Sequence, residues 1–330
     1  MKNKWLLVSV IVILLGAQLL LLLFSSKMKI FQAYMRQSYE VYKVDFERNE
    51  SVPVRIPSPS LKEIHRQRTL TVDLACETFR KNDDSVIHNG TTPALDLRGK
   101  VIVVDEKHKL LFCIVAKVGS TNWRRMFLKY AGTYDEHVPI HEQALKTLKD
   151  YEPEDQISML KGYSKVMFVR HPFERLLSAF IDKFIENPDD SMLRRYGMAI
   201  QNSNNLNGSL DAKITFHKFV TFLLESRPID RHWMTYTSSC EPCQITYDFF
   251  GKFDTLQPDI NYISDKINVT LDFVTTTTHA TGSSSRISGF YSLLTKEQIL
   301  GLYKMYYSDF MLFGYSYPQS YLDTATLVTS

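Results

Sequence analysis

The sequence predicts an α/β fold: a central parallel sheet flanked by helices, set behind a single N-terminal membrane-spanning helix. Two observations carry the sheet. Apolar runs at residues 110–115 and 165–169 each pass into a turn and then into an amphipathic stretch. A third carries the span. Trp5 to Phe24 is apolar and free of charge, and roughly 20 residues at about 1.5 Å each match a bilayer core of about 30 Å.

The span is expected to be an uncleaved anchor. A signal peptide has a shorter apolar core and a small-residue cleavage site, whereas this run ends Leu-Leu-Phe-Ser-Ser-Lys27. Lys2 and Lys4 before it are balanced by Lys27 and Lys29 after it, so flanking charge does not set the orientation. Asn49, Asn89, Asn207 and Asn268 each begin an N-x-[ST] sequon, and Cys76, Cys113, Cys240 and Cys243 suit an oxidising compartment. Together they favour a lumenal, glycosylated chain. The cysteines admit three full pairings. Cys240-Glu-Pro-Cys243 also has the spacing of half a zinc site, but no second pair completes it.

The expected organisation is a cytoplasmic tail (1–4), the anchor (5–24), a lumenal stem (25–96) and a catalytic domain (97–330). The stem contains a Pro/Ser segment, residues 51–60, and a stretch from Leu61 to Lys81 that reads as a helix leading into the domain. Val101–Val104 and Leu110–Val115 read as strands around a polar turn, Asp105–Lys109. Thr121–Tyr130 reads as a helix with Trp123, Met126, Phe127 and Tyr130 on one face. Lys165–Val169 is the next strand. Pro172 opens a helix with a stripe of Phe173, Leu176, Leu177, Phe180, Ile181 and Phe184. Thr275–Arg286 reads as a long loop and Lys296–Phe313 as a final helix. A composition of 44% hydrophobic and 23% charged residues excludes wholesale disorder. A net charge of +3 suits an anionic substrate without demanding one, and nothing in the chain calls for nucleic acid.

Two segments carry chemistry. In Ala116-Lys117-Val118-Gly119-Ser120-Thr121-Asn122, a turn between strand and helix offers backbone N–H groups, a helix N-terminus, a lysine and two hydroxyls to an anion. It is not a Walker A loop, because the lysine precedes the glycine. In Arg170-His171-Pro172-Phe173-Glu174-Arg175-Leu176-Leu177-Ser178, Arg170 stands at a strand's carboxyl end, where α/β sheets bind ligands. Arginine suits a bidentate phosphate contact, and Ser178 can face it from the following helix. Glu174 and Arg175 read as ion-pair residues rather than substrate ligands.

On these residues the chain resembles sulfotransferases. Lys117-x-Gly-x-Thr121 is similar to their 5′-phosphosulfate loop, and Arg170–Ser178 to their 3′-phosphate segment. From about residue 98 to 318 it resembles, more narrowly, the Golgi carbohydrate family of HNK-1, chondroitin 4-O-, dermatan 4-O- and GalNAc 4-O-sulfotransferases. His232-Trp233, Cys240-x-Pro-Cys243, Gly251-Lys252 and Asp309–Tyr315 add to that likeness. Ala116 stands where that family has proline, and His171 where it has Asp or Glu.

The resemblance implies a P-loop-like sulfotransferase fold. It implies PAPS (3′-phosphoadenylyl sulfate) as donor, no metal, a glycosaminoglycan or glycoprotein glycan as acceptor, and a type II Golgi membrane protein. It leaves a homodimer open. Residues 116–122 would wrap the 5′-phosphosulfate, with Lys117 on the leaving phosphate; Arg170 and Ser178 would hold the 3′-phosphate. The expected reaction is sulfation of a sugar hydroxyl, O-4 of GalNAc first and O-3 of glucuronic acid second. A base is needed for that hydroxyl. His141 is the first candidate and His232 the second. A catalytically impaired binding member is the non-enzyme alternative. A Golgi glycosyltransferase would share the anchor, but the chain has no Asp-x-Asp to hold a metal and sugar nucleotide.

Overall fold

Four strands form one sheet in the order β1 (Ile102–Asp105), β2 (Leu110–Cys113), β3 (Ser164–Val169), β4 (Phe249–Lys252). The computed structural model describes residues 59–82, 95–186, 188–203, 213–273 and 284–326. β2, β3 and β4 are parallel, with Cys113 opposite Met167 and Val169 opposite Lys252. β1 corrects the expectation of a wholly parallel sheet. It pairs antiparallel with β2, because the short polar turn between them is too brief for a crossover. Lys109 closes that turn at φ 51°.

The helices that matter are α1 (Leu61–Asn82), α2 (Ser120–Tyr130), α3 (Pro153–Gly162), α4 (Pro172–Phe180), α5 (Phe216–Ser226), α6 (Tyr236–Cys240), α7 (Leu256–Ile267), α8 (Ser284–Tyr291), α9 (Lys296–Met305) and α10 (Tyr307–Leu312). The predicted faces are buried: Trp123, Met126 and Phe127 on α2, and the whole stripe from Phe173 to Phe184. α4 runs on into a turn of π-helix, Ile181–Glu186, a feature frequent at functional sites. The final helix is two helices, broken at Tyr306, whose hydroxyl donates to the Trp233 carbonyl at 2.7 Å. Most of the expected 275–286 loop lies outside the described residues, but Ser284–Arg286 belong to α8.

One core lies on the sheet between α1, α2 and α7; a second, rich in aromatic rings, gathers α4, α5, α8, α9 and α10. α1 is part of the first. The compact unit begins at Pro59, so a helix of the body lies within the segment expected to be stem. Val72, Ala75 and Cys76 are buried, Arg68 meets Asp259 at 2.7 Å, and Cys76 is disulfide-bonded to Cys243. The second bridge joins Cys113 of β2 to Cys240 of α6. Both members of the CxxC pair are thus in disulfides, and the zinc reading falls. Among the described residues no group of side chains has the makings of a metal site, and no helix is long and apolar enough to cross a membrane. The expected anchor and the sequons at Asn49, Asn89 and Asn207 lie outside the described residues. Asn268 is exposed and caps α7 at φ 53°.

Candidate active site

The three parallel strands end side by side, and each leads into a polar segment. After β2, the chain turns through Lys117 at φ 68° and Gly119 at φ 71° before entering α2. The α2 N-terminus has no side-chain cap, so its first N–H groups, which have no intrahelical partner, remain for an anion. Gly119 is required twice. Its φ is left-handed, and a Cβ there would lie 2.6 Å from the ring of Phe273. Val118 is buried, and its carbonyl accepts from the Trp123 indole at 3.1 Å. The loop is thereby pinned to the helix it opens. Ser120, Thr121 and Asn122 form the first turn of α2, and all three are partly exposed.

Lys117 Nζ lies 3.0 Å from Asp182 Oδ2 in the π-helical turn after α4. Burial pushes the lysine pKa down, against the pull of Asp182; the charges of Lys183 and Arg170 push it down further. Burial works to raise the Asp182 pKa, but Lys117 and Lys183 overcome it and hold the carboxyl below its usual value. The two predicted segments leave neighbouring parallel strands, with Cys113 opposite Met167, and Arg175 Nε reaches the Ala116 carbonyl at 3.0 Å, so they converge in space.

Arg170 follows β3 and is buried. Its Nε meets Glu174 at 3.3 Å and its guanidinium lies over the Phe253 ring at 4.9 Å. Its backbone N–H donates to the Tyr236 hydroxyl at 2.7 Å, and its carbonyl accepts from the same hydroxyl at 2.9 Å. One side chain thus fixes the strand end. Burial raises the Glu174 pKa, with Arg170 opposing. Pro172, Phe173, Leu176, Leu177 and Ser178 are buried on α4; the four apolar ones fill the core and offer no polar group. His171 is the α4 N-cap, its Nδ1 accepting from the Phe173 N–H at 3.2 Å. Burial, then Lys252 and Arg170, push its pKa down to about 4. The ring is a neutral acceptor, the role a carboxylate fills at such a cap.

Arg175 is 1% exposed. It donates to the carbonyls of Ala116 at 3.0 Å, Met234 at 2.7 Å and Arg231 at 3.4 Å, and lies over the Tyr236 ring. The expected ion-pair reading is refined: its direct partners are backbone carbonyls.

Both candidate histidines border this region. His141 Nε2 is 3.4 Å from Thr121 Oγ1. Partial burial, then Arg124, Arg231, Lys183 and His232, push its pKa down. His232 is buried, and its Nδ1 lies 2.7 Å from Asp230 Oδ1. Asp230 also accepts from the Tyr196 hydroxyl at 3.2 Å. A carboxylate on Nδ1 fixes the tautomer and leaves Nε2 as acceptor. Sequence reasoning missed Asp182, Asp230 and Tyr236. Asp230 had a local signal, two residues before His232; Asp182, one turn beyond Ser178, had a weaker one.

A buried arginine at one strand end and a lysine-bearing helix N-terminus at the next suit a ligand with two separated anionic groups. Comparison with known proteins gives the family. Residues 100–316 fit the model described as "Sulfotransferase family". The chain belongs to the sulfotransferase family. It is 34% identical to carbohydrate sulfotransferase 11 of Mus musculus over 286 residues, 81% of this chain and 80% of that one. It is 34% identical to carbohydrate sulfotransferase 8 of Homo sapiens over 279 residues, 78% and 64% of the two chains. Carbohydrate sulfotransferase 10 of Homo sapiens is 31% identical over 264 residues, 73% and 74%. No solved structure is significantly similar. As a sulfotransferase the chain is an enzyme that uses PAPS.

Proposed function

We propose that this sulfotransferase moves the sulfuryl group of PAPS to a hydroxyl of a carbohydrate, foremost O-4 of GalNAc in a chondroitin- or dermatan-type chain or glycoprotein glycan. The carbohydrate assignment rests on relatives named carbohydrate sulfotransferases. The observation that carries the chemistry is that Lys117, before an uncapped helix N-terminus, and Arg170 follow neighbouring parallel strands, tied together by Arg175 on the Ala116 carbonyl.

In this reading residues 116–122 receive the 5′-phosphosulfate, while Arg170 and Ser178 receive the 3′-phosphate. The donor supplies a sulfuryl group on a phosphate leaving group. The bond from sulfur to the leaving phosphate oxygen breaks as the bond to the acceptor oxygen forms, and the hydroxyl proton passes to a histidine. Lys117 and the α2 N–H groups neutralise the leaving phosphate, so the protein contributes position and fixed charge. His141 is the proposed base. It touches the loop at Thr121, and its lowered pKa keeps it neutral near pH 7. The Asp230–His232 contact supports His232 as the competing base. We further propose that residues 5–24 anchor the chain as a type II protein of the Golgi membrane, with the catalytic domain in the lumen.

Labelled PAPS offered with a panel of desulfated glycans tests the assignment. The wild type should label a GalNAc-containing chain. Lys117→Ala should lower kcat by about 10²–10³, the usual cost of one donor that stabilises developing charge. Full activity in Lys117→Ala would overturn the site; failure of the wild type on every glycan would overturn the reaction.

A further inference from the structure

We infer that the groove beside His141 is an acceptor subsite that binds the carboxylate of an acidic sugar flanking the sulfated one, with Arg125 as its partner. The inference rests on the carbohydrate reading above and narrows its acceptor to a uronate-bearing chain.

A cavity of about 380 Å³ lies against α2, lined by residues that include Arg125, Tyr134, Glu136, His137 and Ile140. The volume is within the roughly 300–1,000 Å³ usual for small-ligand sites. Its place is what matters. Ile140 immediately precedes His141, whose ring meets Thr121. Arg125 stands one helical turn beyond Thr121. The groove therefore begins where the donor loop ends, and a sugar chain presenting a hydroxyl at His141 would run into it.

The exposed segment that forms the groove's wall is held by side-chain hydrogen bonds to its backbone. Arg124 donates to the carbonyls of Ile140 at 3.2 Å and Gln143 at 2.6 Å. The Gln143 amide accepts from the Asp135 N–H at 2.9 Å and donates to the carbonyls of Asp135 and Val138 at 2.7 Å each. Such a wall binds without reordering.

The lining chemistry selects the ligand. Arg125 Nη1 donates to Asn122 Oδ1 at 3.0 Å, and among the described residues no carboxylate pairs with this guanidinium. Its remaining donors match the two oxygens of a carboxylate. Tyr134 is 36% exposed and offers a ring face to a sugar; the Lys129 ammonium lies 5.6 Å from its centroid. Glu136 faces His137 at 3.7 Å, both largely exposed. On the other side of His141, Arg231 is exposed and in no ion pair among the described residues, and its charge acts on His141 and Arg124. Guanidinium groups thus stand on both flanks of His141, Arg125 and Arg231, against one carboxylate in the lining, Glu136, which faces His137.

The test uses desulfated chondroitin, which alternates hexuronate and hexosamine, and the same polymer with its carboxyls reduced to alcohols. At saturating PAPS the wild type should show a KM about tenfold lower for the carboxylated polymer, with similar kcat. Arg125→Gln should raise that KM about tenfold and leave the reduced polymer's KM unchanged. Arg125→Lys, which keeps the charge without the fork, should fall between. Thermal melting establishes that each variant is folded. Equal wild-type KM values for the two polymers would overturn the inference. So would an equal rise in the PAPS KM of Arg125→Gln, which would route the effect through Asn122. Calorimetric binding of the same two polymers separates the levels. Carboxylate-dependent binding with no transfer to any glycan would sink the reaction and leave the groove. Transfer to a terminal, neutral GalNAc without carboxylate dependence would sink the groove and leave the reaction.

Discussion

His171→Asn should remove an acid-sensitive contribution to stability. The wild-type ring is enclosed by Phe173, Phe310, Tyr315 and Tyr321, with centroids 5.8, 5.2, 5.0 and 6.0 Å away. Its Nδ1 accepts the Phe173 N–H, which only an unprotonated Nδ1 can do. Burial first, and then the cations Lys252 and Arg170, bring the folded pKa from 6.5 to about 4. Protonation therefore favours the unfolded chain. The contribution is complete above about pH 6.5 and is lost as pH falls towards 4. Linkage puts the loss at about 1.4 kcal/mol at pH 5.5 and about 2.6 kcal/mol at pH 4.5, with a limit near ~3.4 kcal/mol.

Asn keeps an N-cap acceptor and does not titrate. It will lower stability at pH 7.5 through the lost ring, but its stability should then fall less steeply with acid. At about 2–4 °C per kcal/mol, the Tm difference between the chains should close by roughly 5–10 °C from pH 7.5 to 4.5. The comparison must be between chains. Burial raises the pKa of fully buried Asp309 to about 7, against the pull of Arg175, so its contribution is lost as pH rises and masks His171 in the wild type alone. Parallel Tm curves for the two chains would refute the reasoning.

Asp230→Asn separates the two histidines. If His232 is the base, the variant should lose about 10²–10⁴ in kcat with the PAPS KM unchanged, because the wrong tautomer is favoured; if His141 is the base, His141→Ala should carry that loss and Asp230→Asn should fall less than tenfold. Steady-state kinetics on both variants decides. Gly119→Ala forces an L side chain to φ 71° and into Phe273; it should weaken PAPS binding by about 5–30-fold, from roughly 1–2 kcal/mol of strain, as read by calorimetry.

What could be read from sequence was local. β2 to α2 and β3 to α4 are consecutive strand, turn and helix, so hydrophobic period and turn residues mark them directly. β4 was missed as a strand because Phe-Phe-Gly-Lys has no alternation and takes its register only from β3. The docking of α1 rests on Arg68 with Asp259, 191 positions apart, and on Cys76 with Cys243, 167 apart; no local pattern encodes either. The break at Tyr306 is also tertiary, since its hydroxyl reaches back to Trp233. The candidate site divides the same way. The donor-loop and Arg170 segments are contiguous motifs. Tyr236 acts on them from another element and carries no signature of its own, while Asp182 has only its place one turn beyond Ser178.

Arg175 explains why two departures from the family pattern leave the site's frame intact. This buried cation binds carbonyls on two separate segments: Ala116 in the donor loop, and Arg231 and Met234 around His232. Asp309 completes the frame by accepting the Tyr236 N–H at 2.9 Å, while the Tyr236 hydroxyl holds Arg170. A carbonyl is the same acceptor whatever side chain accompanies it, so Ala116 meets Arg175 as proline would. At position 171 the requirement is an acceptor for the Phe173 N–H, and a neutral imidazole meets it where a carboxylate would. The tolerance stops at Arg175 itself. Its five-donor fork meets three carbonyls on separate segments, and removing it leaves those of Ala116, Arg231 and Met234 without this partner at once.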